Sequence, residues 1–367
     1  MNKKIILSSG GTGGHIFPAI NLMKHLLQQG YQVILVTNKK TLKNYFSKKF
    51  LRNYPKLKIY TISADTIRKK NFFNIIYSIL KIFTSIFKSL IIIKKEKPNA
   101  IIGFGSYVSF PISFCSQFFN SSLILYESNL VLGRTNKYLL PAANKILVSS
   151  ALPVNLPKKY KQKVYKIGAI LSKNIINYLP KKKEKRKYFS ILVLGGSQGA
   201  EIFGKVIPEA IKMLKERGYN IKIVQQCLKH QKNKIINFYK KNKIKNNIFI
   251  FEKNILNLIS KTDLAISRSG ATTVAELSQT CTPFIAIPYP YAMDNHQYLN
   301  AKYYKDKKYT WLLKEDNFSS FNLFSLLTQV IDDKKKLTQI REKMKNNNNN
   351  SVYKNIERII EKTKNEN

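Results

Sequence analysis

The stretch Ile5-Ile6-Leu7-Ser8-Ser9-Gly10-Gly11-Thr12-Gly13-Gly14-His15 decides how the chain is read. A short apolar run leads into four glycines. A helical pattern opening with Pro18 follows, with Ala19, Leu22, Met23, Leu26 and Leu27 recurring until Gly30. Strand, glycine turn and helix in succession predict a βαβ unit, and Tyr31-Gln32-Val33-Ile34-Leu35-Val36 supplies its second strand. Glycine lets backbone approach a ligand closely, and the N–H groups that open a helix favour an anion, so the turn reads as a phosphate or anion site. His15 stands where an imidazole could take a proton from a bound group. A purely structural turn is the competing reading of the same residues.

Outward from that turn, 367 residues exceed one hydrophobic core, so two domains are expected, and a hydrophobic fraction of 44% suffices to fill them. Cys115, Cys227 and Cys281 are scattered without paired spacing, which predicts neither a disulfide framework nor a zinc site and fits a reducing, cytoplasmic compartment. Met1-Asn2-Lys3-Lys4 leads straight into the first strand, so no export signal is expected. Lys and Arg number 64 against 20 Asp and Glu, a net charge of +44 that would attract nucleic acid or anionic membrane. The lysines are spread along the whole chain with Asn, Ile, Tyr and Phe, as a bias toward A/T-rich codons would produce. No motif specific for nucleic acid stands above that background.

Residues 72–93 are the most apolar stretch. Asn74, Ser78, Lys81, Ser85 and Lys88 line one narrow stripe of a helix, and the rest is mostly Phe, Ile, Leu and Tyr, including Phe83 and Phe87. Two lysines inside it argue against a bilayer crossing. Arg68-Lys69-Lys70 before it and Lys94-Lys95 with Lys97 after it suit a helix resting on an anionic membrane surface; a helix buried on both sides is the alternative. Ala100-Ile101-Ile102 then runs into the turn Gly103 to Ser109, and Leu123-Ile124-Leu125-Tyr126 into Glu127-Ser128-Asn129. Ligands of open α/β sheets collect at such strand ends, which makes Glu127 and Asn129 site candidates.

After Lys145-Ile146-Leu147-Val148 the pattern loosens toward the basic run Lys181 to Lys187. A second alternation begins at Phe189-Ser190-Ile191-Leu192-Val193-Leu194, followed by Gly195-Gly196-Ser197-Gln198-Gly199-Ala200. Two such turns predict an α/β protein of two Rossmann-like domains with a cleft between them. The expected boundaries are 1–167, a basic linker 168–187, a second domain 188–340, and an Asn-rich loop with a terminal helix over 341–367. Within the second domain Leu264-Ala265-Ile266-Ser267 leads into Arg268-Ser269-Gly270-Ala271-Thr272-Thr273. Ser269, Gly270 and the backbone of Ala271 to Thr273 would offer donors to a diphosphate, and Glu276, one turn on, could accept from a ribose diol.

In these motifs, together with Phe17-Pro18, Thr135-Asn136-Lys137, His296-Gln297 and Asn300-Ala301, the chain resembles the GT-B glycosyltransferases of peptidoglycan synthesis over roughly residues 5–305. The resemblance implies inverting transfer of N-acetylglucosamine from UDP-N-acetylglucosamine to the 4-hydroxyl of a lipid-linked muramoyl-pentapeptide. It implies no cofactor, no metal and a peripheral position on the cytoplasmic face of the bacterial inner membrane. By position it puts Thr12, Gly13 and Gly14 at the sugar and phosphate end of the cleft, Asn129 on the donor sugar, and Ser197 with Ala271 to Glu276 on diphosphate and ribose. Gln297 then meets a sugar hydroxyl, Phe251 and Glu252 fall in the segment that reads uracil, and His15 is the candidate base, with Glu127 as rival or orienting partner. Phosphate charge would be met by helix N-termini, and no Asp-x-Asp motif is present.

Two departures stand out. The family carries Gly-Asn-Pro-Val-Arg where this chain has Gly168-Ala169-Ile170-Leu171-Ser172, so Ser172 stands at the position of a donor-reaching arginine whose charge it cannot supply; Lys173 is the neighbouring cation. Ser106 replaces a glycine. A 2-epimerase or glycolipid synthase of the same fold, or a basic membrane- or nucleic-acid-binding protein without catalysis, are the competing functions.

Overall fold

The computed structural model describes residues 3–63, 72–180, 186–347 and 350–362, and only the backbone of 72–79. Arg68 to Lys70, the side chains of Asn74 and Ser78, and Lys181 to Lys185 lie outside the described residues. The chain forms two compact units, Met1–Ser172 with Ser351–Asn367, and Lys173–Asn350. The stretch read as a linker is therefore divided, its Lys173–Ile176 portion being a short helix of the second unit. The terminal helix Val352–Lys362 belongs with the first unit.

Unit 1 is built on a seven-stranded parallel sheet of β1 (Lys4–Ser8), β2 (Gln32–Thr37), β3 (Lys58–Thr61), β4 (Ala100–Gly103), β5 (Ser122–Glu127), β6 (Lys145–Val148) and β7 (Val164–Lys166). Their spatial order is β3-β2-β1-β4-β5-β6-β7. Unit 2 has six parallel strands, β8 (Phe189–Leu194), β9 (Ile221–Gln226), β10 (Lys245–Phe249), β11 (Leu264–Ser267), β12 (Phe284–Ala286) and β13 (Thr310–Leu312), in the order β10-β9-β8-β11-β12-β13. In both sheets the order reverses beside the first strand, between β1 and β4 and between β8 and β11. Crossing connections leave to opposite faces there and open a crevice at the carboxyl ends of those strands. Both glycine turns follow the first strand of their sheet, so the topology sets each of them at that crevice.

Strands covered on both faces must be apolar throughout. Ile5, Ile6 and Leu7 are accordingly 0% exposed, and β8 is buried from Ser190 onward. At about 1.5–3 kcal/mol per fully buried aliphatic side chain, such runs dominate the stability of each unit.

The first helix departs from the expected start at Pro18. It spans Gly13–Gln28, with Pro18 inside it. The Thr12 carbonyl already accepts from the N–H groups of His15 and Ile16, at 3.1 and 3.2 Å, so the glycines fold as the helix's own first turn. Proline has no N–H to return to the Gly14 carbonyl. The apolar stretch 72–93 lies in the helix Phe72–Glu96. Ser85, Ser89, Ile92 and Ile93 are buried, whereas Leu80, Phe83, Phe87 and Ile91 are exposed, Phe83 and Phe87 by 65% and 66%. Over its described side chains this helix is covered on one face only. Among the described residues no helix is long and apolar enough to cross a membrane.

Candidate functional site

In unit 1 the turn after β1 packs against the turn after β4. A Cβ on Gly10 would come within 2.7 Å of Val108 Cγ2, so only glycine lets the two turns meet. Thr12 is the N-cap residue but gives no side-chain cap, and no acidic residue occupies the helix's first turn. Its N–H groups therefore face outward without a competing carboxylate. Thr12 is exposed, Gly13 buried and Gly14 half-buried. Ser106, the departure from glycine, is buried beside Gly11, and its hydroxyl has no partner among the described residues.

His15 is the third residue of that helix and half-buried. Its Nδ1 lies 2.6 Å from the carbonyl oxygen of Phe104. A carbonyl only accepts, so Nδ1 carries the proton, and in the neutral ring the lone pair sits on Nε2. At Nδ1 the group that orients the imidazole is the Phe104 carbonyl.

Glu127 closes β5, buried, with both oxygens engaged. Oε1 accepts from the Asn129 backbone N–H and carboxamide at 3.1 and 3.2 Å; Oε2 accepts from the Gly133 N–H and the Asn136 carboxamide at 2.9 and 3.0 Å. N–H groups on every side hold the carboxylate as a hub for residues 127–136 and leave it poorly placed to act as a base. Asn136 reaches on to the Tyr126 carbonyl at 3.1 Å and lies against Gly105, next to Phe104. Glu127 thus shapes the wall behind His15 and holds Asn129.

In unit 2 the Gly195–Ala200 turn is clamped by Gln226, whose carboxamide accepts from the Gly195 N–H at 3.0 Å and donates to the Gly196 carbonyl at 3.2 Å. Gly199 has φ +74°, and a Cβ there would meet Leu228 at 2.4 Å. Ser197 is exposed at the tip. The helix that follows, Glu201–Glu216, carries Glu201 in its first turn, 3.0 Å from His230 Nε2.

The helix after β11, Ala271–Gln279, has Gly270 as N-cap, no side-chain cap and no acid in its first turn. Around its start the buried hydroxyls of Ser267, Ser269 and Thr272 have no partner among the described residues. Gln297 braces the turn, its carboxamide oxygen accepting from the N–H groups of Ser269 and Tyr289 at 3.2 and 3.0 Å. Asn300 donates to the Ser269 carbonyl at 3.1 Å. Arg268 points inward, toward Glu315 and the Ile287 and Pro288 carbonyls, with the Phe203 ring 4.9 Å away; it is part of the scaffold. Ala271, Thr272 and Thr273 are half-buried in the first turn, and burial pushes the Glu276 carboxyl up to about 8. Glu252 is half-buried, accepting from the Asn254 N–H at 2.7 Å beside an exposed Phe251. Ser172 is the half-buried last residue of the first segment of unit 1, and Lys173 opens unit 2. Among the described residues no group of three or more His, Cys, Asp or Glu side chains is arranged to hold a metal.

Sequence reasoning missed the Phe104 carbonyl, Gln226 and the role of Glu127. Only Gln226, one of two glutamines that close β9, left a trace in the sequence.

Two doubly wound parallel sheets, each with glycine turns at its switch point, define the two-domain α/β architecture of GT-B glycosyltransferases. The description of the glycosyltransferase family 28 N-terminal domain matches residues 5–148 and that of its C-terminal domain residues 190–359. The UDP-N-acetylglucosamine--N-acetylmuramyl-(pentapeptide) pyrophosphoryl-undecaprenol N-acetylglucosamine transferase of Pelagibacter ubique (strain HTCC1062) is 35% identical over 374 residues, covering 100% of both chains. The enzyme of the same name from Rickettsia bellii (strain RML369-C) is 35% identical over 338 residues, 91% of this chain and 92% of its own. The crystal structure of Acinetobacter baumannii MurG superposes with a TM-score of 0.79 at 25% identity, covering 99% of this chain and 100% of that one. The chain belongs to glycosyltransferase family 28.

Proposed function

We propose that this chain transfers N-acetylglucosamine from UDP-N-acetylglucosamine to the 4-hydroxyl of undecaprenyl-pyrophosphoryl-N-acetylmuramoyl-pentapeptide, inverting the anomeric carbon and releasing UDP. End-to-end likeness to enzymes of that name supports the substrates. The observation that carries the chemistry is the hydrogen bond between His15 Nδ1–H and the Phe104 carbonyl.

That bond keeps the lone pair on Nε2, the atom needed to take the acceptor hydroxyl's proton as its oxygen attacks the anomeric carbon. The bond from that carbon to the diphosphate breaks with inversion, and its electron pair leaves with UDP. The N–H groups opening the Ala271–Gln279 helix, with the hydroxyls of Ser269 and Thr272, meet the developing charge. Glu276 takes the ribose: its buried carboxyl is raised to about 8, and two diol hydroxyls donating to it favour the ionised form. Gln297 spends its oxygen on backbone and offers its carboxamide N–H to a sugar hydroxyl. Ser197 contributes to the diphosphate and the segment of Glu252 to the uracil. Thr12, Gly13 and Gly14 serve the sugar and phosphate end, and Asn129, held by Glu127, the donor sugar. Ser172 adds no cation, so the donor is held with one charge fewer than in the family pattern.

The face formed by Leu80, Phe83, Phe87 and Ile91, with exposed Lys88, Lys94 and Lys95 beside it, suits an anionic membrane surface, where the lipid-linked acceptor resides. The test is incubation of the purified protein with UDP-N-acetylglucosamine and an analogue of the lipid-linked acceptor. The expected result is UDP release only with acceptor present and a product of inverted anomeric configuration. UDP release without acceptor, or transfer to diacylglycerol, overturns the assignment.

A further inference from the structure

Unit 2 has a second concavity, at the amino-terminal ends of its strands, the end away from the glycine turns. It encloses about 280 Å³ and is lined by Arg186, Tyr188, Phe189, Asp263, Lys334, Leu337, Thr338 and Arg341, of which the charged members carry the argument. Phe189 opens β8 and Asp263 immediately precedes β11, so the length of a six-residue strand, about 17 Å, separates this pocket from the Gly195 turn.

Among the described residues its charges do not balance. Arg186, Lys334 and Arg341 face one carboxylate, Asp263. That carboxylate is already committed: Oδ1 accepts from Arg186 at 3.2 Å and Oδ2 from the Ser190 N–H at 2.9 Å. Arg341, from the helix Lys334–Asn346, donates to the Asp263 backbone carbonyl at 2.8 Å. Its Nε is buried with no acceptor among the described residues. A buried charged N–H without an acceptor is costly. Burial, first, and the neighbouring Arg186 hold the Arg341 guanidinium below its usual range, against the opposing pull of Asp263.

We propose that this pocket is a second anion site, distinct from the donor site, and that it takes the terminal dianion of a phosphate monoester. The lining residues leave two positive charges unbalanced, which a dianion meets and a carboxylate does not. A tetrahedral phosphate presents oxygens in several directions, so one group can accept from the Arg341 guanidinium where it lines the pocket while facing Lys334 and Arg186. The volume exceeds that of a bare oxyanion, and Tyr188, Phe189 and Leu337 supply an apolar wall for the organic remainder.

Phenyl phosphate and inorganic phosphate are the probes, titrated calorimetrically into the full chain in saturating UDP so that the donor site is occupied. One equivalent of phenyl phosphate should bind, more tightly than inorganic phosphate, and Arg341→Gln and Lys334→Ala should each weaken it about tenfold while the Kd for UDP stays within twofold. Lys334 is exposed, so its variant decides the matter should Arg341→Gln fail to fold. Absence of saturable binding with UDP present, or unchanged affinity in Lys334→Ala, overturns the proposal.

Discussion

The two units share one strand order over their first six strands, and they finish those strand ends in different chemistry. In unit 1 the helix after β1 opens with an imidazole fixed by a backbone carbonyl, and a second helix leaves an apolar face uncovered. In unit 2 the helix after β11 opens on bare N–H groups and unpartnered hydroxyls, one turn before a carboxyl raised by burial. The contrast is sharpest inside unit 2. The helix after β8 follows the more conspicuous glycine turn, yet Glu201 in its first turn opposes a phosphate that the helix after β11 would welcome. A glycine turn marks where backbone can approach a ligand; the first helical turn decides which charge is accepted.

The largest expected effect is on the catalytic side. His15→Ala should lower kcat by about 10²–10⁴-fold and leave the donor KM within twofold, in a coupled assay of UDP release. A raised donor KM with unchanged kcat would erase the division of labour. Phe83→Ser with Phe87→Ser should weaken co-sedimentation with anionic vesicles by about a hundredfold or more, since each ring contributes roughly 1.5–3 kcal/mol of apolar transfer. UDP affinity should not change, and unaltered co-sedimentation would take the membrane role from this face. On the donor side, Ala271→Glu should raise the UDP-N-acetylglucosamine KM about tenfold, whereas Glu201→Ala should leave it within twofold. The reverse ranking would give the Gly195 turn, and not the helix after β11, the larger share of the diphosphate.

The smallest effect concerns pH. The folded Glu276 carboxyl ionises near 8, above the ordinary carboxyl range, so the unfolded chain gives up its proton first. Stability from this group is full below the unfolded value and is lost as pH rises toward 8. Glu276→Gln should flatten that decline in urea unfolding at pH 5 and pH 8; an unchanged slope would show that burial of Glu276 does not set it.

The parallel sheets were legible because doubly covered strands must be apolar runs, and those runs stand out between glycine turns. Pro18 was misleading: proline suits a helix start, and four glycines before it look like a loop, so the helix was expected five residues late. The tautomer of His15 was hidden because its partner is a backbone carbonyl 89 residues away. Glu127 beside Asn129 looked like a site pair; only folding reveals that N–H groups from three residues surround it. Arg341 was one of 64 basic residues until the fold buried its Nε.

The return of helix Val352–Lys362 to unit 1 has a consequence in time. Its Tyr353 hydroxyl donates to the Leu171 carbonyl at 2.5 Å, its ring stacks on His25 at 4.3 Å, and Glu357 meets His25 Nε2 at 2.5 Å. Unit 2 is therefore an insertion within unit 1, and every one of its residues is synthesised before that helix. At about 5–20 residues per second, the first 172 residues wait on the order of ten seconds or longer on the ribosome for their final helix. The inserted unit has that interval in which to fold, and the unit begun first is the one finished last.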